Sequence, residues 1–225
     1  AKQMFVLSND AQLHTLDPLS LDTTELGRLP CAVNPSSMAV ARDHTLWIGG
    51  DKGELYRSDW KTCSNTGFDP VNFYNSMQGS GIAVDLEGKE YLYATPVRTD
   101  GAPGSPVNDI VVVDLDNVEV SATLPIEQGI DLMELAGTGD SRLFGVNVDF
   151  RTEKGVTLIQ VDPSNARFLW RSDVSEIANP FFCTIGCDIA FWSGSLYVFN
   201  SDLNNRTSSD VWRYELESQQ LSKVG

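Results

Sequence analysis

The stretch QLHTLD, residues 12–17, recurs in kind four more times: ELYRSD at 54–59, IVVVD at 110–114, TLIQVD at 157–162 and DVWRYE at 210–215. Each is an apolar or alternating run closed by an acidic residue, followed by turn-forming residues and a second short strand-like run. The closing acids are Asp17, Asp59, Asp114, Asp162 and Glu215, so four intervals cover 198 residues and the mean period is 49.5. Self-similarity at this period marks supersecondary units that each bury an apolar face only against a neighbour. The expected fold is all-β, a five-bladed β-propeller with about four antiparallel strands per blade.

Working outward from the anchors, each repeat shows the same order of runs. Innermost are SMAVA from Ser37, GIAVD from Gly81, DLMEL from Asp131 and DIAFW from Asp188, small and apolar enough to be covered on both faces. Second come MFVLS from Met4, TLWIG from Thr45, EYLYA from Glu90, RLFGV from Arg142 and SLYVF from Ser195. The anchors are third. The fourth runs, clearest as TTELGRL, VEVSATL, ARFLWRS and QQLSKV, alternate with polar residues, as exposed edge strands do. The approximate repeats are 1–30, 31–73, 74–126, 127–178 and 179–225, within a single propeller domain spanning 1–225. Between third and fourth runs stand DPLSLD, DLDN, DPSN and ELES, so the anchoring acid reads as a turn cap that accepts backbone N–H groups.

The runs number nineteen rather than twenty, because the first repeat starts at its second strand. Either that blade lacks an inner strand, or another segment supplies it, such as VNFYNSMQ at 71–78. The only candidate for a helical turn is VSEIANPFF from Val174, stopped by Pro180, and the Pro- and Gly-rich stretch from Pro96 to Asp109 reads as an exposed loop.

The chain has 225 residues and a formal charge of -15, which disfavours nucleic acid and anionic lipid surfaces as partners. No apolar run is long enough for a membrane-spanning helix. The four cysteines fall into two local pairs, and Cys31–Cys63 and Cys183–Cys187 are the expected disulfides, implying an extracellular, cell-surface or periplasmic setting. Zinc and buried free thiols are the alternatives. Asn205, Arg206 and Thr207 form a glycosylation sequon, which supports exposure of that loop.

GIAVD with EYLYA, and AGTGDSRLFGV followed by IAFWSGSLYVF, resemble the NHL, YncE-like and TolB-like propeller repeats, in particular uncharacterised exported bacterial propellers. The resemblance is one of scaffold and implies no catalytic residue.

Site candidates come from aligning the second runs, which end in FVLSND, FGVNVD and YVFNSD. Asp10, Asn147, Asp149, Asn200 and Asp202 are thereby expected to bind ligand, together with Trp60, which follows an anchor in an exposed turn. Asp131 and Asp188 open two inner strands, and with Asp149 and Asp202 they would offer the oxygen ligands of a calcium site. The bland alternative is that these Asn and Asp residues end strands and cap loops. As a carboxylate pair, Asp131 and Asp188 are also the catalytic candidates if the chain acts on carbohydrate. His14 and His44 sit in a strand and a turn and suggest no base catalysis, and no phosphate loop, HExxH or GxSxG is present. Trp47 and Trp192 are expected in the core.

The function expected is non-enzymatic: an exported binding or scaffold propeller presenting loops to a protein, glycan or ion ligand, with no cofactor except possible calcium. The alternatives are a carbohydrate-active hydrolase or lyase using carboxylates at the channel mouth, and a structural segment of a larger surface protein.

Overall fold

The computed structural model describes the chain except residues 1–3, 9, 32–33, 69–73, 99–108, 128–129, 131, 149–155, 175, 178–186 and 202–208. Nineteen strands and no helix occur among the described residues. Blade one holds β1 (Met4–Leu7), β2 (Gln12–Leu16) and β3 (Thr23–Arg28). Blade two holds β4 (Pro35–Val40), β5 (Leu46–Gly50), β6 (Leu55–Ser58) and β7 (Cys63–Asn65). Blade three holds β8 (Tyr74–Val84), β9 (Glu90–Arg98), β10 (Asp109–Asp114) and β11 (Glu119–Pro125). Blade four holds β12 (Leu132–Gly137), β13 (Leu143–Val148), β14 (Val156–Val161) and β15 (Phe168–Asp173). Blade five holds β16 (Cys187–Trp192), β17 (Ser195–Ser201), β18 (Ser209–Glu215) and β19 (Gln220–Lys223). Every sheet is an antiparallel meander, four of them four-stranded and the first three-stranded. Five small sheets of this kind make a five-bladed propeller.

Burial follows strand position for a simple reason: middle strands are covered by both neighbouring blades, and outer strands by neither. β5 is buried throughout, whereas β11 and β15 alternate between half-buried and exposed residues. Apolar side chains collect in five clusters, one in each seam. Leu13 meets Ile48 between blades one and two, and Trp47 meets Leu92 between two and three. Tyr93 meets Leu143 between three and four, and Phe144 meets Val198 between four and five. The ring closes where Met4 and Leu16 of blade one pack on Tyr197 of blade five, whose hydroxyl donates to the Pro18 carbonyl at 3.4 Å. Closure therefore rests on side-chain packing in the last seam, although blade one has no inner strand among the described residues.

Two sequence readings change. Tyr74–Gln78 do not complete blade one: they lengthen β8, pairing with β9 through Tyr74↔Arg98 and Met77↔Pro96. Pro96 likewise ends no strand, because β9 runs on to Arg98 and the exposed-loop reading shrinks to residues outside the described ones. Of the helical-turn candidate from Val174, the described residues show one turn, with the Ile177 N–H donating to the Val174 carbonyl at 2.8 Å.

The anchoring acids cap turns as expected. Asp162 Oδ1 accepts the Ser164 N–H at 2.9 Å, Asp59 Oδ1 accepts the Thr62 N–H at 2.6 Å, and Asp17 Oδ1 accepts the Leu19 N–H at 2.8 Å. Asp114 adds an ion pair with Lys89 at 2.8 Å to the Asp116 N–H it accepts at 2.9 Å. Glu215 differs in receiving a side-chain hydroxyl, that of Ser218, at 3.1 Å. Cys31 and Cys63 are disulfide-bonded, tying the approach to blade two to its outermost strand.

Candidate functional site

Antiparallel meanders put successive turns at alternate ends of the ring. One end carries the turns between inner and second strands, and there Arg42 fastens three blades together. Its guanidinium donates to the Gly139 carbonyl at 2.8 Å and the Gly88 carbonyl at 3.4 Å, and its N–H donates to Glu90 at 2.9 Å. The other end is where the inner strands begin, and it carries the axial acids.

Asp188 is the second residue of β16. It is exposed at its surface, while the protein around it displaces enough solvent to disfavour its charge. Burial pushes its carboxyl up to about 6, opposed by one hydrogen bond from the Ile189 N–H at 2.9 Å. Its neighbour in charge is Glu134, a half-buried residue of β12. Burial first, and the Asp188 charge second, push the Glu134 carboxyl well above the usual carboxylate range.

A β-bulge aims Glu134. The β12–β13 register shifts between Leu132 and Glu134, leaving Met133 as the extra residue, and Glu134 then pairs with Val146 on the face toward blade five. The buried Thr95 hydroxyl holds the bulge, donating to the Met133 carbonyl at 3.3 Å while accepting the Gly79 N–H at 3.0 Å. Across the same seam Asn200 stands opposite Cys187, only 6% exposed, and its Oδ1 receives no hydrogen bond. Among the described residues no lysine or arginine pairs with Glu134 or Asp188. Among the described residues these two carboxylates are therefore uncompensated, a chemistry able to hold a cation or to move a proton.

Of the residues that sequence reasoning selected, Asp188 and Asn200 lie near the starts of the inner strands, and Glu134 was not among the selection. The signal was present: a charged residue inside the otherwise apolar LMEL is out of place in a buried inner strand. Asp131, Asp149 and Asp202 lie outside the described residues, so of the expected calcium ligands only Asp188 has a described position. Among the described residues there is no group of three or more His, Cys, Asp or Glu able to hold a metal. The Cys183–Cys187 pairing also falls outside the described residues, as does the sequon at 205–207.

The remaining candidates do not converge on the hub. Asp10 is exposed in the β1–β2 turn, where the Ser8 hydroxyl donates to it and holds its carboxyl below the usual range. Trp60 is 43% exposed in the β6–β7 turn, which the strand directions place at the opposite end of the ring from Asp10. The Lys61 ammonium lies 4.8 Å from its ring centre. Asn147 faces the other side of blade four, in a cross-strand row with Thr157 and Asp173 that borders an open groove toward blade three. Trp47 and Trp192 are packed as core residues expected to be, Trp47 buried between blades two and three and Trp192 edge-on to Tyr197.

No family model matches the chain, and no curated protein matches it. Among solved structures it is similar to hydrazine synthase from Kuenenia stuttgartiensis, with a TM-score of 0.54 and 12% identity over 99% of this chain. The chain spans 62% of that protein's chain. At this identity the likeness defines the class, a β-propeller.

Proposed function

We propose that this chain is a non-enzymatic binding or scaffold propeller, exported like the uncharacterised bacterial propellers it resembles. It holds a protein, glycan or ion ligand at the end of the ring where the inner strands begin. The observation that carries this reading is the pair of acids on the inner strands: Glu134 feels the charge of Asp188, and among the described residues no lysine or arginine pairs with either. Unpaired charge in a partly enclosed site is costly, and an arriving ligand that neutralises or hydrogen-bonds it recovers that cost. The disulfide-bonded Cys31–Cys63 pair supports an oxidising compartment. Thermal-shift titration with calcium chloride and a glycan panel tests the reading, since a ligand of the folded state raises the midpoint. A midpoint raised by calcium chloride, and no longer raised in Glu134→Gln with Asp188→Asn, is expected.

A second reading is a carbohydrate-active hydrolase or lyase. Here the specific observation is the raised Asp188 carboxyl, near the operating range of a general acid, beside a second carboxylate. Reducing-end release from a polysaccharide panel, abolished by Asp188→Asn, would replace the binding reading with this one.

A further inference from the structure

The seam between blades three and four is closed at the hub and open at the rim. At the hub the inner strands meet backbone to backbone, because glycine stands at the contacts: a Cβ on Gly79 would lie 2.5 Å from the Met133 carbonyl, and one on Gly137 would overlap the Ile82 carbonyl. Farther out the blades fan apart. There a groove of about 660 Å³ opens, inside the size range of small-ligand sites, and a second cavity of about 460 Å³ shares Glu127 and Phe168 with it. The two lie side by side where the outer strand of blade four begins.

The register of blade four decides what lines it. Asn147 pairs with Thr157 and Thr157 with Asp173, so an amide, a hydroxyl and a carboxylate stand in a row across three strands, about 5 Å apart. Arg171, paired with Ile159, is the next position along that face of β15 and is exposed. Leu169 is 59% exposed beside the same groove, and Phe168 forms its junction with the second cavity. The lining thus alternates hydrogen-bond donors, acceptors and apolar surface, with a guanidinium set against the carboxylates of Asp173 and Glu127.

Few ligand classes match that combination. A metal ion or an organic cation wants acceptors alone, which is the chemistry of the hub, and a nucleic acid wants a basic surface that a chain of charge -15 does not offer. Sugar hydroxyls both donate and accept, and the C–H faces of pyranose rings pack on apolar side chains. We propose that the rim groove between blades three and four is a carbohydrate-binding cleft, taking several consecutive units of a neutral linear glycan. This inference rests on the binding role proposed above and goes beyond the hub: it adds a second place, at the rim, with its own ligand class.

The test is isothermal titration of the whole chain with cellotetraose, mannotetraose and chitotetraose. Binding of at least one is expected, weakened about tenfold or more by Arg171→Gln and by Thr157→Val, the size of one lost hydrogen bond in a site that must satisfy it. Both positions are outside the buried core, and an unchanged thermal midpoint without ligand shows that the variants fold. The hub double variant Glu134→Gln with Asp188→Asn should bind the tetrasaccharide as the parent does. Binding that survives the rim variants and is lost in the hub variant overturns the groove while leaving a binding propeller. Absence of binding to all three sugars overturns the groove as well. If calcium chloride and the wider glycan panel also leave the midpoint unmoved, the binding reading falls with it.

Discussion

Asp162 and Asp188 are the same residue type in one ring, and their surroundings treat them in opposite ways. At the rim, Asp162 receives the Ser164 hydroxyl and N–H and the Asn165 amide, and these hydrogen bonds hold its carboxyl below the usual range. At the hub, Asp188 has one hydrogen bond and is pushed upward by burial. The rim turns gain stability from their charges, whereas the hub carries charge at a cost. That contrast teaches where to look for function, since carboxylates that help the fold are explained by the fold and the costly ones are not.

The largest expected effect tests the rigidity that holds the hub acids in place. Gly137→Val drives a side chain into the Ile82 backbone and should cost about 4 kcal/mol or more, seen as a collapse of the urea midpoint. If the variant is as stable as the parent, inner strands β8 and β12 are not clamped and the hub geometry is looser than described. Next in size is the rim disulfide. Cys63→Ser opens a loop of 32-residue separation, and loop entropy gives a loss of about 3–4 kcal/mol by the same measurement.

Smaller effects sharpen the contrast between the carboxylates themselves. Asp114→Ala removes the Lys89 ion pair and the cap on the Asp116 N–H, for a loss of about 1–2 kcal/mol at pH 7 in chemical denaturation. Lys89 and Asp114 shift in the directions of a mutually stabilising pair, Lys89 up and Asp114 down. Asp114, Asp59 and Asp162 all have folded-state pKa values below 3.8, so their contribution is complete above that value and is lost as pH falls through the folded-state values.

Asp188 behaves in the reverse sense and gives the smallest signal. Its folded value of about 6 exceeds the unfolded 3.8, so the native state holds the extra proton between these limits, and this group lowers stability as pH rises from about 4 to 6. Asp188→Asn should therefore gain in thermal midpoint relative to the parent across that interval and keep the gain at pH 7. A difference between the two that is flat with pH would show that the hub does not burden its carboxylate.

Much of this architecture could be read along the chain. The nineteen strands and three-stranded first sheet of the described residues, the turn-capping anchors and Cys31–Cys63 depend on local alternation, turn residues and a constant period, all of which are visible in linear order. Glu134 escaped because its direction depends on the bulge at Met133, which is held by Thr95 from a different blade. Trp60 and Asp10 appeared equivalent as exposed turn residues, but strand direction sends them to opposite ends. The row of Asn147, Thr157 and Asp173 combines residues far apart in sequence, and only the pairing register brings them together.

The sequence by itself determined that the chain builds five strand meanders and which residues close each turn, because those depend on neighbours a few positions away. Only the tertiary structure decided which acids feel one another's charge, how the ring closes when blade one has no inner strand among the described residues, and where a seam opens into a groove. Those outcomes depend on how closely whole sheets approach one another. That distance is set by glycines at the hub and by the fanning of the blades toward the rim.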